Sequence, residues 1–444
     1  MQKRDLTFYD YEREPVPIAK RKKWLTLAFV WIAIGIDLSA VLLGTQLGAG
    51  MTLSNAVLAV IAGSLLLAVL GSFTAYVGAV SGLSTAMISR YVFGEHGAKL
   101  VSGVIGISLF GWFGVQAGFF GASAHTLLLE VLGVKWSPTV LAMVGGLLMT
   151  STAVVGYRAI EWLNVWSVPL MVGILVGAVI WALTGQPLSA LLTAPPTGSA
   201  LPMGLSISLV ASSFLVGTVI TPDLARWAKT PRDAVLSSFF GFLIGTSLML
   251  LIVVLLTKAT GSSDILHIFV TMGFGVPAII VLILAQWTTN HNNLYSASLG
   301  FSVIFSRVPK YLLTIIAGLI GTVLAYLDIF NHFLTFLTYL TAFIAPIGGI
   351  YLAEFFLLNR SRFQFVFIRE EYIPGFYWHA VLVWVIAAFI GLATTPAPNG
   401  LGWFSLTTIP LLDSFLTGFL LQWVLGKVRE KMAAGASSSV TPGE

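Results

Sequence analysis

The 444-residue sequence is 57% hydrophobic and only 9% charged, with a mean hydropathy of +0.93, which leaves no material for a large water-soluble domain. Its net charge is +5 and its pI near 9.3, but the basic residues sit in short loops between apolar runs, a distribution that suits anionic lipid and not nucleic acid. With no cysteine, a disulfide framework, a thiolate metal site and a thiol nucleophile are all excluded.

At about twenty apolar residues per crossing, the spacing predicts helices near 24–45, 52–79, 100–130, 139–157, 163–185, 203–222, 235–257, 275–306, 311–327, 329–358, 375–394 and 404–425. The first run follows a charged segment, 1–23, and is too long for a signal-peptide core, so it reads as a retained span. Cut this way, twenty-one of the twenty-three Lys and Arg fall on one side, and only Lys135 and Lys258 on the other. The positive-inside rule then places both termini in the cytoplasm of a multi-pass protein of the cell membrane. The stretch 185–204, GQPLSALLTAPPTGSALPMG, carries four prolines and no charge and reads as a non-helical external linker, with 186–202 its centre. It separates a first five-helix unit, 24–185, from a second, 203–358, and with five crossings apiece any duplication between them must have inverted topology. Residues 258–274, with Asp264 and His267, read as a short external helix or lid. Helices eleven and twelve, 375–425, are then additions, followed by a cytoplasmic tail, 426–444, whose small polar end GASSSVTPGE reads as disordered. The fold class expected is an all-α membrane protein of twelve transmembrane helices.

Inverted repeats place their sites at the membrane midplane, where the first helix of each unit breaks. GIDLS at 35–39 and SSFLVGT at 212–218 occupy corresponding mid-span places, and each reads either as a broken helix or as a small-residue packing seam. Asp37 is a carboxylate at a helix centre, which costs roughly 2.5–3.5 kcal/mol on insertion scales and requires a compensating role. It either locks helices together as a protonated or hydrogen-bonded acid, or meets a polar ligand or coupling ion.

In the third span, GWFGVQ at 111–116 sets Trp112 and Gln116 four apart on one face. An aromatic plane beside an amide suits a flat heterocycle; the alternative is ordinary helix packing. In the eighth, AQWTTNHNN at 285–293 is too polar for a lipid-facing segment and is expected to line a cavity. A carbonyl at Ala285 with the hydroxyls of Thr288 and Thr289 offers hard oxygen ligands to a cation, unless those hydroxyls bond their own helix. PDLARW at 222–227 spaces Asp223 and Arg226 as an intrahelical pair with a structural or gating role. No HExxH, GxSxG or phosphate loop stands in a sensible context, so an enzyme is disfavoured.

The segments GWFGVQ, SSFLVGTVITPDLARW, QWTTNHNNLYSASLGF and LTFLTYLTAFIAPIGGIYLAEFF resemble, in order and spacing, the nucleobase:cation symporter-1 family of cytosine, purine, uracil, thiamine and allantoin permeases, most of all its bacterial cytosine-permease branch. The resemblance runs from about residue 15 to 425 and implies a LeuT-type 5+5 inverted repeat with sodium-coupled uptake. It implies that Trp112 stacks on the base, Phe214 covers its other face, and Gln116 and Asn290 bond its edge. For sodium it implies the carbonyls of Ala33, Ile36 and Ala285 with the hydroxyls of Thr288 and Thr289. The expected partners are a small heterocycle, sodium or a proton, and lipid; no cofactor is expected beyond the coupling ion, no nucleic acid, and a monomer. Three positions depart from the cytosine-permease pattern: Leu109 stands for a Gln, Val216 for a Ser and Ala285 for an Asn. Gln116 resembles the hydantoin branch, and Asp37 stands where a cytosine permease has an aromatic, which favours a heterocycle bearing an amino group. The alternative is a proton-coupled symporter of a thiamine precursor, hydantoin or allantoin; a channel ranks lower.

Overall fold

A computed structural model describes residues 16–35, 39–155, 173–174, 176–185, 187–262, 264, 266–268, 273, 275–305, 307–364 and 372–438. In chain order the helices are α1 (Trp24–Gly35), α2 (Ser39–Gly50), α3 (Leu53–Ser81), α4 (Thr85–Phe93), α5 (Glu95–Leu132), α6 (Pro138–Val155), α7 (Val176–Gly185) and α8 (Leu188–Thr193). After the linker come α9 (Met203–Ser212), α10 (Leu215–Val219), α11 (Thr221–Ala225), α12 (Pro231–Thr260), α13 (Gly275–Ile304), α14 (Lys310–Tyr326), α15 (Phe333–Ala353), α16 (Trp378–Thr394) and α17 (Pro410–Ser438). Among the described residues, five helices are long and apolar enough to cross a bilayer.

The apolar surface is turned outward as a membrane demands. On α3, Leu58, Ile61, Leu65, Val69 and Phe73 form an exposed stripe at helical spacing, while the opposite face carries the small residues. There a Cβ on Gly63 would lie 2.6 Å from Val210, one on Gly71 2.5 Å from the Phe242 ring, and one on Gly78 2.4 Å from Pro222 Cα. With lipid outside as apolar as the core, such close contact is what holds the helices together. A second seam joins α1 and α2 to α12, where Gly35 meets Gly245, Gly44 meets Val253 and Gly48 meets Thr257.

Backbone hydrogen bonds knit several basic connections into one end of the molecule. Lys22 and Ala228 form an isolated parallel bridge, with Lys22 N–H donating to Trp227 O at 2.7 Å and Lys229 N–H to Lys22 O at 2.9 Å. Next to it, Asp233 Oδ1 accepts from Trp24 N–H at 3.1 Å. On the other side of α4, Glu95 and His96 donate to Pro374 O and Gly375 O at 2.9 and 2.7 Å.

Several expected boundaries shift. The linker is not wholly irregular, because Pro187 starts the short α8, and its remainder caps α2: Thr197 and Gly198 donate to Ala49 O, both at 2.9 Å, and Leu201 to Gly50 O at 3.2 Å. The connection after α3 holds an unexpected helix, α4, capped by Ser84. The last span starts at Pro410, not 404, and the expected tail from 426 continues the helix as far as Ser438, helped by a Lys427–Glu430 pair at 2.8 Å and the helix-favouring Ala433 and Ala434. In 258–274, α12 runs on to Thr260, and Asp264 caps the turn at 266–268 through Leu266 N–H at 3.0 Å.

Candidate functional site

Helix α9 ends at Ser212, and the chain resumes helical form only at Leu215, with Phe214 at φ −128°, ψ 19° between them; a second joint at Ile220 precedes α11. The SSFLVGT segment is thus a broken helix and not merely a seam. Breaks free carbonyls inside a membrane, where each must find a donor. Thr74 of α3 gives its hydroxyl to Thr218 O at 2.8 Å, and Tyr351 of α15, fully buried, gives its hydroxyl to Val219 O at 3.0 Å. Ser212 is bonded to Thr341 of α15 by a short hydroxyl contact. Neither Tyr351 nor Thr74 was legible as a site residue, because a lone Tyr or Thr in an apolar span carries no motif.

On the continuous helix α5, Trp112 is buried and Gln116, one turn on, is fully enclosed. The indole is held edge-on by two rings of α15, Phe333 at 5.8 Å and 66°, and Phe336 at 5.3 Å and 84°. Those phenylalanines, three apart on one helix face, were missed by sequence reasoning although their spacing was visible. Phe214 packs against the same core as Trp112, with its ring 6.1 Å from Trp31 and 5.4 Å from Phe242, both edge-on. Trp112 and the Phe214 joint thus belong to one extended core, and α15 packs against both α5 and the α9–α10 break.

Asn290 is bonded to the neighbouring helices. Its Nδ2 donates to Phe113 O at 3.1 Å and contacts Met149 Sδ at 3.2 Å, and its Oδ1 accepts from Asn293 at 3.4 Å. Phe113 and Met149 belong to a separate core formed by α5, α6, α13 and α14, so the amide ties α13 to the flank of α5 that Trp112 does not occupy. Two neighbours share this tying role: Gln286 donates to Ser123 Oγ at 3.3 Å, and Trp287 Nε1 to Thr152 Oγ1 at 2.9 Å. Three polar residues of the α13 run, Gln286, Trp287 and Asn290, are thus engaged in helix-to-helix bonds, which polarity alone could not distinguish from a cavity lining.

Of the expected cation ligands, Ala33 lies in the last turns of α1, Ala285 and Thr288 in mid-α13, and Thr289 beside them half-buried. Ile36 and Asp37 lie outside the described residues. Asp223 accepts the Thr85 N–H at 2.8 Å, so its carboxylate sits at the start of α4, and Arg226 Nε donates to the Asp223 main-chain oxygen at 3.1 Å. Burial pushes the Asp223 carboxyl up from its ordinary range, against the opposing pull of the Thr85 N–H and the Arg226 charge. The pair thus joins the end of the broken helix to the connection after α3.

Comparison with known proteins fits this geometry. The family model described as permease for cytosine/purines, uracil, thiamine, allantoin matches residues 15–426. The cytosine permease of Escherichia coli (strain K12) is 35% identical over 356 residues, 80% of this chain and 83% of that protein. The hydantoin permease of Microbacterium maritypicum is 22% identical over 407 residues, 83% of this chain and 81% of that protein. Among solved structures, the inward-facing conformation of Mhp1 has a TM-score of 0.79 at 19% identity, covering 97% of this chain and 96% of that one. Mhp1 in a closed conformation with bromovinylhydantoin bound, described as a nucleobase-cation-symport-1 family transporter, gives 0.73 at 19% identity, covering 96% of both chains. The fold is the all-α LeuT type.

Proposed function

The chain belongs to the nucleobase-cation-symport-1 permeases, in the cytosine-permease branch, and from that membership we propose that it takes up a nucleobase or closely related planar heterocycle by sodium symport and alternating access. It is an integral membrane transporter and not an enzyme. One observation carries the substrate reading: the enclosed Trp112–Gln116 pair of α5 and the Phe214 joint of the broken helix flank the same helix, α15, which packs against both. In this reading Trp112 supplies a π-face, Gln116 offers a donor and an acceptor to the heterocycle edge, and Phe214 closes over the other face. Asn290 already donates to Phe113 O through Nδ2, so in this reading it meets the ligand through the remaining capacity of its Oδ1.

Sodium is bound, in the same reading, by the main-chain oxygens of Ala33, Ile36 and Ala285 and the hydroxyls of Thr288 and Thr289. Neutral oxygens suit a hard monovalent cation, and binding it between α1 and α13 couples the ion to the relative position of the two helices. Asp37 favours ligands bearing an amino group. The basic end is cytoplasmic, and the transporter works as a monomer.

The test is uptake by purified protein in sealed proteoliposomes, with cytosine, uracil, hypoxanthine, adenine, allantoin and hydroxymethylpyrimidine as competitors. Saturable uptake that requires a sodium gradient at fixed pH, and weakened sodium activation in Thr289→Ala, are expected. Uptake driven by a pH gradient without sodium would replace sodium with proton symport, and a competition profile unchanged in Gln116→Leu would remove the base site.

A further inference from the structure

Helix α15 carries a proline in its interior, Pro346. A proline has no N–H for the carbonyl four residues back, and its ring crowds that carbonyl, so Ala342 O loses its partner in the helix ladder. Inside a membrane such a break is tolerated where neighbouring groups serve the freed carbonyl. Two neighbours reach this one, and both belong to the last two helices of the chain. Ser414 of α17 directs its hydroxyl at Ala342 O, 3.3 Å away, and Trp384 of α16 donates from Nε1 to the next carbonyl, Phe343 O, at 2.8 Å. Ser414 Oγ also lies 3.1 Å from Ala387 O of α16. That carbonyl sits in a regular helix, where Gly391 has an N–H to give it, so the hydroxyl matters most at Ala342.

The three helices meet closely at this point. A Cβ on Gly391 of α16 would lie 2.9 Å from Ser414 Cβ and 3.0 Å from Ala342 Cα, and one on Gly418 of α17 would lie 3.1 Å from Pro346 Cβ. Ser414 is fully enclosed and Trp384 is buried, its ring 6.4 Å from that of Phe343. On the two sides of Pro346, α15 serves different parts of the candidate site. The stretch before it holds Phe333 and Phe336 against Trp112 of α5, and Thr341 against Ser212. The stretch after it holds Tyr351, whose hydroxyl meets Val219 O of the broken helix. The angle at Pro346 therefore sets where the two phenylalanines stand relative to that helix.

We propose that Ser414 and Trp384 are positioning residues for the substrate wall: held on Ala342 O and Phe343 O, they fix the angle between the two stretches of α15 and so the place of Phe333 and Phe336 against Trp112. The proposal rests on the reading of Trp112 as a face for the heterocycle, and in it neither residue contacts the substrate. Deleting a donor leaves the carbonyl to be served by a change of helix angle or by penetrating water, and either one moves the stretch that carries the phenylalanines. The last two helices thereby act on the site through α15 alone.

The test is amide hydrogen exchange of the full chain in detergent, read by mass spectrometry, beside uptake of cytosine in sealed proteoliposomes. Ser414→Ala and Trp384→Phe delete the donors and keep much of the shape. Each should speed exchange in residues 333–345 by about two- to fivefold, the loss of one hydrogen bond, and leave α5 and α12 at the parental rate. Thr417→Val, also on α17, removes a hydroxyl that bonds Asp413 O of its own helix at 2.6 Å and should leave α15 unchanged. For cytosine, the two donor variants should raise KM by a similar factor with kcat retained. Pro346→Ala gives Ala342 O an N–H again, so Ser414→Ala should add nothing to exchange in that background. An equal effect of Ser414→Ala with and without Pro346, unchanged exchange in both donor variants, a rise spread over all helices, or a matching rise in Thr417→Val would overturn the proposal. Faster exchange with an unchanged KM would do the same. Exchange needs no substrate, so a parent protein that carries no cytosine counts against the base reading while exchange still decides the joint. If Pro346→Ala fails to fold, the donor variants set against Thr417→Val decide it.

Discussion

The two aromatic walls of the candidate site are built in opposite ways. Helix α5, which carries Trp112 and Gln116, runs 38 residues without interruption; beside Trp112 its Gly111 meets the Phe336 ring and further on Gly118 meets Phe330, and only towards its end does Gly121 pack on backbone, at Pro138 O. The α9–α11 wall, which carries Phe214, is three short pieces whose freed carbonyls depend on hydroxyls from α3 and α15. At the far end of that wall the tight contact is with backbone, Gly78 against Pro222 Cα, while at α9 Gly63 meets the Val210 side chain. A side chain can yield by rotating, whereas backbone yields only by moving the helix. Around Trp112 one wall is thus a continuous platform tolerant of small intrusions, and the other is jointed and, at Pro222, closely tied.

The sharpest way to break this contrast is to add volume to each wall. Gly78→Val should be the most damaging, because overpacking costs about 1–3 kcal/mol or more when neighbours cannot rotate away. Most of the protein should be lost from the monodisperse peak in size-exclusion chromatography of a detergent extract. Gly111→Ala should stay folded, with Phe336 turned and the Trp112 pocket altered, so that substrate affinity falls while the unfolding temperature changes little. The reverse order of damage would mean that α5 is the less tolerant wall.

Next in size is Trp112→Ala, which should weaken the saturating substrate by about 1–3 kcal/mol, the range for base stacking on an aromatic ring. Phe214→Ala should cost less, because that ring sits in a joint already supported by Trp31 and Phe242. Uptake competition curves measure both, and equal losses would place the ligand evenly between the walls.

How far the sequence discloses this contrast depends on the kind of signal. The apolar runs and the charge of their loops were enough for an all-helical membrane fold, because lipid imposes length and polarity on every span. The joint at 212–218 was visible as small and hydroxyl residues in corresponding places of the two units. What satisfies the joint was not visible, since Thr74 and Tyr351 come from helices distant in sequence and their types are common in any span. Asn290 illustrates the converse: its position in a polar run suggested a cavity, yet a side-chain amide inside a membrane needs partners and finds them in Phe113 O and Met149 Sδ. The helix end at 426 was misplaced because composition reports polarity, and a polar segment with alanines and an ion pair remains a good helix.

The smallest expected effects are the most specific to the jointed wall. Tyr351→Phe deletes only the hydroxyl that meets Val219 O, and Thr74→Val keeps shape while deleting the one that meets Thr218 O. Each should lower stability by about 1 kcal/mol, the cost of leaving a buried carbonyl short of a donor. Thr322→Val on α14 serves as the contrast, since its hydroxyl bonds only Gly318 O of its own helix at 2.7 Å, an acceptor already served by the helix ladder; its effect should stay within about 0.5 kcal/mol. Because residues 218 and 219 are consecutive at one joint, the Tyr351→Phe and Thr74→Val pair should depart from additivity by about 0.5 kcal/mol or more, as residues sharing one network do. Thermal unfolding of the four proteins of this cycle in one detergent measures the coupling. Strict additivity would show that the two hydroxyls act on separate pieces of α10, and the jointed wall would then lack the common hinge that this arrangement gives it.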